Sequence, residues 1–140
     1  MRGSGLVQQG PATGVMALVL GALVPGAGHL YVGRRGRGLG FLVAIGALFI
    51  LGVAMQARLD VHLGLDDPLG SLLSLAQAAA GLPYFIARGL GYGVYADPAA
   101  LDEAVKSVMF EYGNTFAAVA GLLNVLVMLD AYDIGVGRKR

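Results

Sequence analysis

Leu39-Gly40-Phe41-Leu42-Val43-Ala44-Ile45-Gly46-Ala47-Leu48-Phe49-Ile50-Leu51-Gly52-Val53-Ala54-Met55 contains no charge and no proline, and the charge-free run around it extends from Gly38 to Ala57. A helix needs ~20 mostly apolar residues to cross a bilayer, so this stretch is the strongest span in the chain. On its N-terminal side, His29 is the only Asp, Glu, Lys, Arg or His between Arg2 and Arg34. On its C-terminal side, Pro68 to Ala87 and Tyr112 to Leu129 are also free of charge. Four apolar segments follow, near residues 13–32, 38–56, 69–87 and 113–132. They predict an all-α integral membrane bundle forming a single domain over residues 1–140. Its expected parts are a helical hairpin (13–56), a third apolar segment with a glycine-rich tail (69–93), an amphipathic surface helix (97–110) and a fourth segment (113–134).

Composition agrees. Of the 140 residues, 56% are hydrophobic and 14% charged, against roughly 25% charged in an ordinary soluble domain. Too few charges remain to cover a soluble surface, and the apolar content excludes disorder. Cysteine is absent, which removes disulfides and thiol chemistry. A formal net charge of +1 argues against a nucleic-acid partner.

Two segments are irregular. In the first, Pro25-Gly26 interrupts the apolar run, which predicts a kink, because proline removes a helical hydrogen bond. In the third, Gly81-Leu82-Pro83 leaves a full span and a re-entrant element both open. Asp97 with Pro98 is a helix start. Leu101, Val105, Val108 and Met109 share one face of the helix it begins. If all four segments span, Arg34, Arg35, Arg37, Arg88 and Lys106 lie on one side, with Arg2, Arg58, Arg138, Lys139 and Arg140 on the other. That balance gives the positive-inside rule nothing to act on. If segment one or segment three fails to span, the count becomes six against four.

The sharpest motif is Val24-Pro25-Gly26-Ala27-Gly28-His29-Leu30-Tyr31-Val32-Gly33-Arg34-Arg35-Gly36-Arg37-Gly38, a helix end leading into a tight basic turn. Tyr31 suits the headgroup level, and Arg34 and Arg35 suit anionic headgroups or an acidic partner. The Pro-Gly-x-Gly-x-x-Tyr-x-Gly-Arg string resembles the two-transmembrane-helix domain family over about residues 14–55. That resemblance implies a membrane hairpin without an established enzymatic activity. The whole chain is also similar to a group of uncharacterised bacterial membrane proteins ending like Ala120-Gly121-Leu122-Leu123-Asn124 and Leu129-Asp130-Ala131-Tyr132-Asp133.

Further candidate residues lie in the fourth segment. Gly113, Ala117 and Gly121 recur every four residues, and Asn124 falls on the same face. Small-xxx-small spacing lets helices approach closely in lipid, either at a subunit interface or, the preferred reading, inside the bundle. Asp130 and Asp133 share a face. They pair with Arg34, Arg35 or Arg37, bind a cation or relay protons with His29, or are simply solvated. Asn114 or Thr115 is a cap for this helix. His29 and His62 stand far apart with no metal-ligand spacing, no Walker lysine follows the glycines, and no nucleophile elbow occurs. The expected role is therefore non-enzymatic and free of cofactor or metal. The chain reads as a structural or accessory multi-pass protein of the bacterial inner membrane, associating with itself or with other membrane subunits. The alternative is a transporter or channel-like component built on His29, Asn124, Asp130 and Asp133.

Overall fold

The computed structural model describes residues 8–61 and 63–139, so Arg2, His62 and Arg140 lie outside the described residues. Among the described residues seven helices follow in order: α1 (Pro11–Leu23), α2 (Ala27–Tyr31), α3 (Arg35–Ala54), α4 (Pro68–Ala78), α5 (Leu82–Gly89), α6 (Pro98–Val105) and α7 (Val108–Gly135). No strand occurs among the described residues.

Among the described residues two helices are long and apolar enough to cross a membrane, α3 with mean hydropathy 2.1 and α7 with 1.7. At 1.5 Å per residue they measure about 30 and 42 Å, against a hydrocarbon core of ~30 Å. They run antiparallel. Gly52, near the end of α3, meets Gly113 and Ala117, near the start of α7, so closely that an added Cβ would lie 2.8 Å from the Gly113 carbonyl oxygen and the Ala117 nitrogen. We call this end of the bundle, with the end of α3 and the start of α7, the acidic end. The other carries the start of α3 and the end of α7 and is the basic end.

The first segment does not run on through a kink. α1 stops at Leu23, Val24 is extended, and Gly26 takes a left-handed φ of 80°. A Cβ on Gly26 would also collide with the Gly38 carbonyl, so only glycine fits there. The Gly10 N–H donates to the Gly135 carbonyl at 3.0 Å, placing the start of α1 at the basic end. Gly21 rests on Met128, deeper along α7. The chain then turns back. Gly28 of α2 packs on Ala17 of α1 and Ala131 of α7, and Gly38 at the start of α3 packs on Leu30. Segment one therefore enters and leaves at the basic end. Its longer arm, α1, is about 20 Å, too short to cross.

The third segment does the same from the acidic end. α4 begins at Pro68, capped by Asp67, whose carboxylate accepts from the Gly70 N–H at 2.9 Å; such a cap contributes about 1 kcal/mol. α4 and α5 are bent by 103° at Gly81, whose φ is 78°. The chain regains the acidic end at Gly93, whose carbonyl accepts from the Leu59 N–H at 2.8 Å just after α3. The two breaks touch, because a Cβ on Gly81 would lie 2.6 Å from the Leu23 carbonyl oxygen. Each half of the chain is thus a broken segment followed by a long helix, and the halves enter from opposite ends.

Two boundaries differ from expectation. The amphipathic helix stops at Val105, and Val108 and Met109 belong to α7. The Ser107 hydroxyl accepts from the Met109 N–H at 3.2 Å and starts a new helix there. α7 therefore begins before Asn114 and Thr115, and neither caps it. Asn114 is buried inside the helix, and Thr115 bonds back to the Glu111 carbonyl.

Candidate functional site

Buried polar groups lie along the inner face of α7 at three levels. Nearest the acidic end, the Asn114 side-chain oxygen accepts from the Arg58 N–H at 2.8 Å and from Gln77 Nε2 of α4 at 3.3 Å. Gln77 is 1% exposed. Beside them opens a polar recess of about 400 Å³ bordered by Arg58, Asp60, Asp67 and Glu111. Arg58 is spent on Asp60. Arg88 and Tyr84 both donate to the Leu59 carbonyl, tying α5 to the loop after α3.

At mid-height Asn124 is fully buried, and its Nδ2 donates to the Ala79 carbonyl at 3.0 Å. That carbonyl lies at the end of α4, where the break removes helical donors. Asn124 Oδ1 is buried without a hydrogen-bond partner among the described residues.

Toward the basic end, His29 of α2 is fully buried, and its Nε2 lies 3.0 Å from Asp130 Oδ2. A carboxylate accepts, so in the neutral ring the proton sits on Nε2 and Nδ1 keeps a bare lone pair. Nδ1 has no partner. Phe41 of α3 packs edge-on against the ring at 5.0 Å. Lys139 closes the outer side of Asp130, with Nζ 2.7 Å from Oδ1 and 4.0 Å from Asp133 Oδ2. Arg138 pairs with Asp133 at 3.5 Å. The hydrogen bond to Asp130 holds the Lys139 pKa above its ordinary value, with Arg37 opposing. Arg37 and the tail therefore occupy the same end of the molecule.

The residues singled out in the sequence fall into three sets. Pro25, Gly26, Gly28 and His29 build the first break and its return, while Gly33 makes the open turn that follows, at φ 82°. Tyr31 is half-buried at the end of α2. Gly113, Ala117, Gly121 and Asn124 are turned inward, against Gly52, Met55 and Ala76 and, for Asn124, Ala79. That stripe is consumed within the chain and offers no face to a second subunit. Asp130 and Asp133 pair with His29, Lys139 and Arg138, and not with Arg34, Arg35 or Arg37, whose side chains have no ion-pair partner among the described residues. No group of three His, Cys, Asp or Glu among the described residues is placed to hold a metal ion.

Gln77, Arg58 and Asp60 went unrecognised as a linked set. Gln77 alone carried a signal, as a polar side chain inside the charge-free run from Pro68 to Ala87.

Residues 16–140 match the model of a family of unknown function, DUF6677. No curated protein and no solved structure matches the chain.

Proposed function

The chain belongs to that family, whose description assigns no role, and we propose from its own geometry that it is a non-enzymatic, multi-pass protein of the bacterial cytoplasmic membrane serving as an accessory component of a membrane assembly. One observation carries the membrane reading. The outward faces of α3 and α7 expose apolar side chains, among them Val43 (69%), Ile50 (67%) and Leu126 (63%), while Asn124 and His29 are held inside at 0%. An apolar surface of this extent is stable in lipid and aggregation-prone in water.

The returning segments favour one orientation. With both broken segments leaving on the side they enter, Arg34, Arg35, Arg37, Arg138 and Lys139 share the basic end, against Arg58, Arg88 and Lys106 at the other. The acidic end carries Asp60, Asp66, Asp67, Asp97, Asp102, Glu103 and Glu111, and the basic end carries only Asp130 and Asp133. The positive-inside rule then puts the basic end in the cytoplasm. A fluorescent protein fused after the tail should fluoresce; a dark fusion with an active periplasmic reporter at the same place overturns the orientation.

The accessory role is supported by how the buried polar groups are used. Asn114, Gln77 and Asn124 bond to backbone or to each other at helix breaks. Extraction from native membranes in mild detergent, followed by native electrophoresis, tests it. Migration with a stoichiometric membrane partner is expected, and a lone monomer counts against it.

A transport role is the second reading. It is favoured by two unpartnered buried atoms, His29 Nδ1 and Asn124 Oδ1, beside segments broken in corresponding positions of the two halves, a pattern that in transporters points to the binding site. Proton or cation flux in liposomes, abolished by Asp130→Asn, would support it; no flux from folded protein would remove it.

A further inference from the structure

The first half-turn of α3 and the turn before it hold Arg34, Arg35 and Arg37 within four positions. None has an ion pair or side-chain hydrogen bond among the described residues. The two aspartates of this end are already engaged by Arg138 and Lys139. The end therefore carries an unmatched positive charge, with Arg35 and Arg37 exposed and Arg34 half-buried, at the height where a helix crossing the bilayer meets the headgroups.

Below the arginines the outer face of α3 is unusually flat. A Cβ added at Gly36 or at Gly40 would meet nothing within 4 Å. Ala44 and Ala47 continue the same face and are exposed, while Val43 stands 69% exposed along its edge. Gly38, between them on α3, is instead buried against Leu30, so the open face belongs to the outside of the bundle.

We propose that this surface binds an anionic phospholipid, its phosphate held by Arg34, Arg35 and Arg37 and an acyl chain lying on the Gly36–Gly40–Ala44 face. Charge complementarity selects the occupant. A second copy using the same face in parallel would bring six guanidinium groups together with no free carboxylate between them, whereas a phosphate diester supplies the missing negative charge. A zwitterionic lipid offers the same chain without net charge, so selectivity rests on the arginines. The proposal depends on the membrane reading above.

The test uses the full chain in nanodiscs of phosphatidylcholine, alone or mixed with phosphatidylglycerol, with retained lipid counted by native mass spectrometry after detergent release. Wild type should retain phosphatidylglycerol in preference to phosphatidylcholine. At about 1 kcal/mol for each basic residue near an anionic surface, the combined Arg34→Gln, Arg35→Gln and Arg37→Gln variant should lose that preference on the order of a hundredfold. Gly40→Leu, which fills the flat face and leaves the charge intact, should lose part of it. Equal retention by wild type and the triple variant overturns the proposal. So does displacement of the lipid by inorganic phosphate, which would mark a free-anion site. A Gly40→Leu variant that changes oligomer size with lipid retention unaltered also overturns it, assigning the face to a second copy. Failure of the wild type to enter either nanodisc would instead sink the membrane reading.

Discussion

The break between α1 and α2 and the break between α4 and α5 meet at mid-height, each reaching there from its own end, and they are held by different chemistry. The second is fastened by neutral amides, with Asn124 on the Ala79 carbonyl and Gln77 on Asn114, and by the Gly121–Ala76 backbone contact. The first has no such amide. Its returning arm carries His29, bound to Asp130, which is bound in turn to Lys139 in the tail. One joint is insulated from protons and salt; the other contains titratable groups and opens toward water. Two segments of the same shape are therefore expected to fail under different conditions.

The largest separation should come from the glycines that seat each segment on α7. A Cβ at Gly121 collides with the Ala76 carbonyl, and one at Gly28 collides with the Ala17 carbonyl and comes within 2.8 Å of Ala131. Backbone cannot yield as a side chain can, so Gly121→Val and Gly28→Val should each cost about 3 kcal/mol, the upper end of ordinary overpacking. Hydrogen exchange should localise the damage, to α4–α5 in the first variant and to α1–α2 in the second. Equal loosening of both segments in both variants would erase the distinction.

Asn124→Leu should cost less, about 1–2 kcal/mol, because it leaves the Ala79 carbonyl without its donor. Its effect on the melting midpoint should be the same at every pH between 5 and 8, since no titratable group is involved. Asp130→Asn should cost about 1 kcal/mol and release the tail, seen as faster exchange of the Arg138 and Lys139 amides that donate to the Asp133 carbonyl.

Lys139→Gln is the smallest change, because the ammonium is exposed. Its signature is in the pH dependence. A lysine whose pKa is raised in the folded protein contributes stability below the ordinary lysine value and loses it as pH rises through the raised one. The wild-type midpoint should therefore fall toward that of the variant above about pH 10, with the two curves parallel below it.

Much of this architecture was legible because its signals are local. The span at Leu39–Met55, the interruption at Pro25-Gly26 and the break at Gly81-Leu82-Pro83 all follow from hydropathy and proline chemistry. The direction taken after each interruption was not legible. A proline marks a lost hydrogen bond equally in a kink and in a reversal. What distinguishes them here is the positive φ of Gly26 and its contact with Gly38, a partner the local pattern does not name. The Gly113, Ala117 and Gly121 spacing likewise announces close packing without saying against what. Asn114 or Thr115 offers itself as a cap in the sequence because the true cap, Ser107, sits between two helices whose apolar residues read as one face. For Asp130 the sequence leaves pairing with the loop arginines, a role with His29 and plain solvation all open, because no local spacing names a partner 101 residues earlier.

That separation sets a schedule for assembly. Ribosomes add about 5–20 residues per second, so after His29 is added, on the order of 5–20 seconds pass before Asp130 is made. Throughout that interval α1 and α2 lack the stretch of α7 that Gly21, Gly28 and His29 pack against, and the imidazole is without its carboxylate. The first half of the chain therefore waits on the second for the helix that completes its packing.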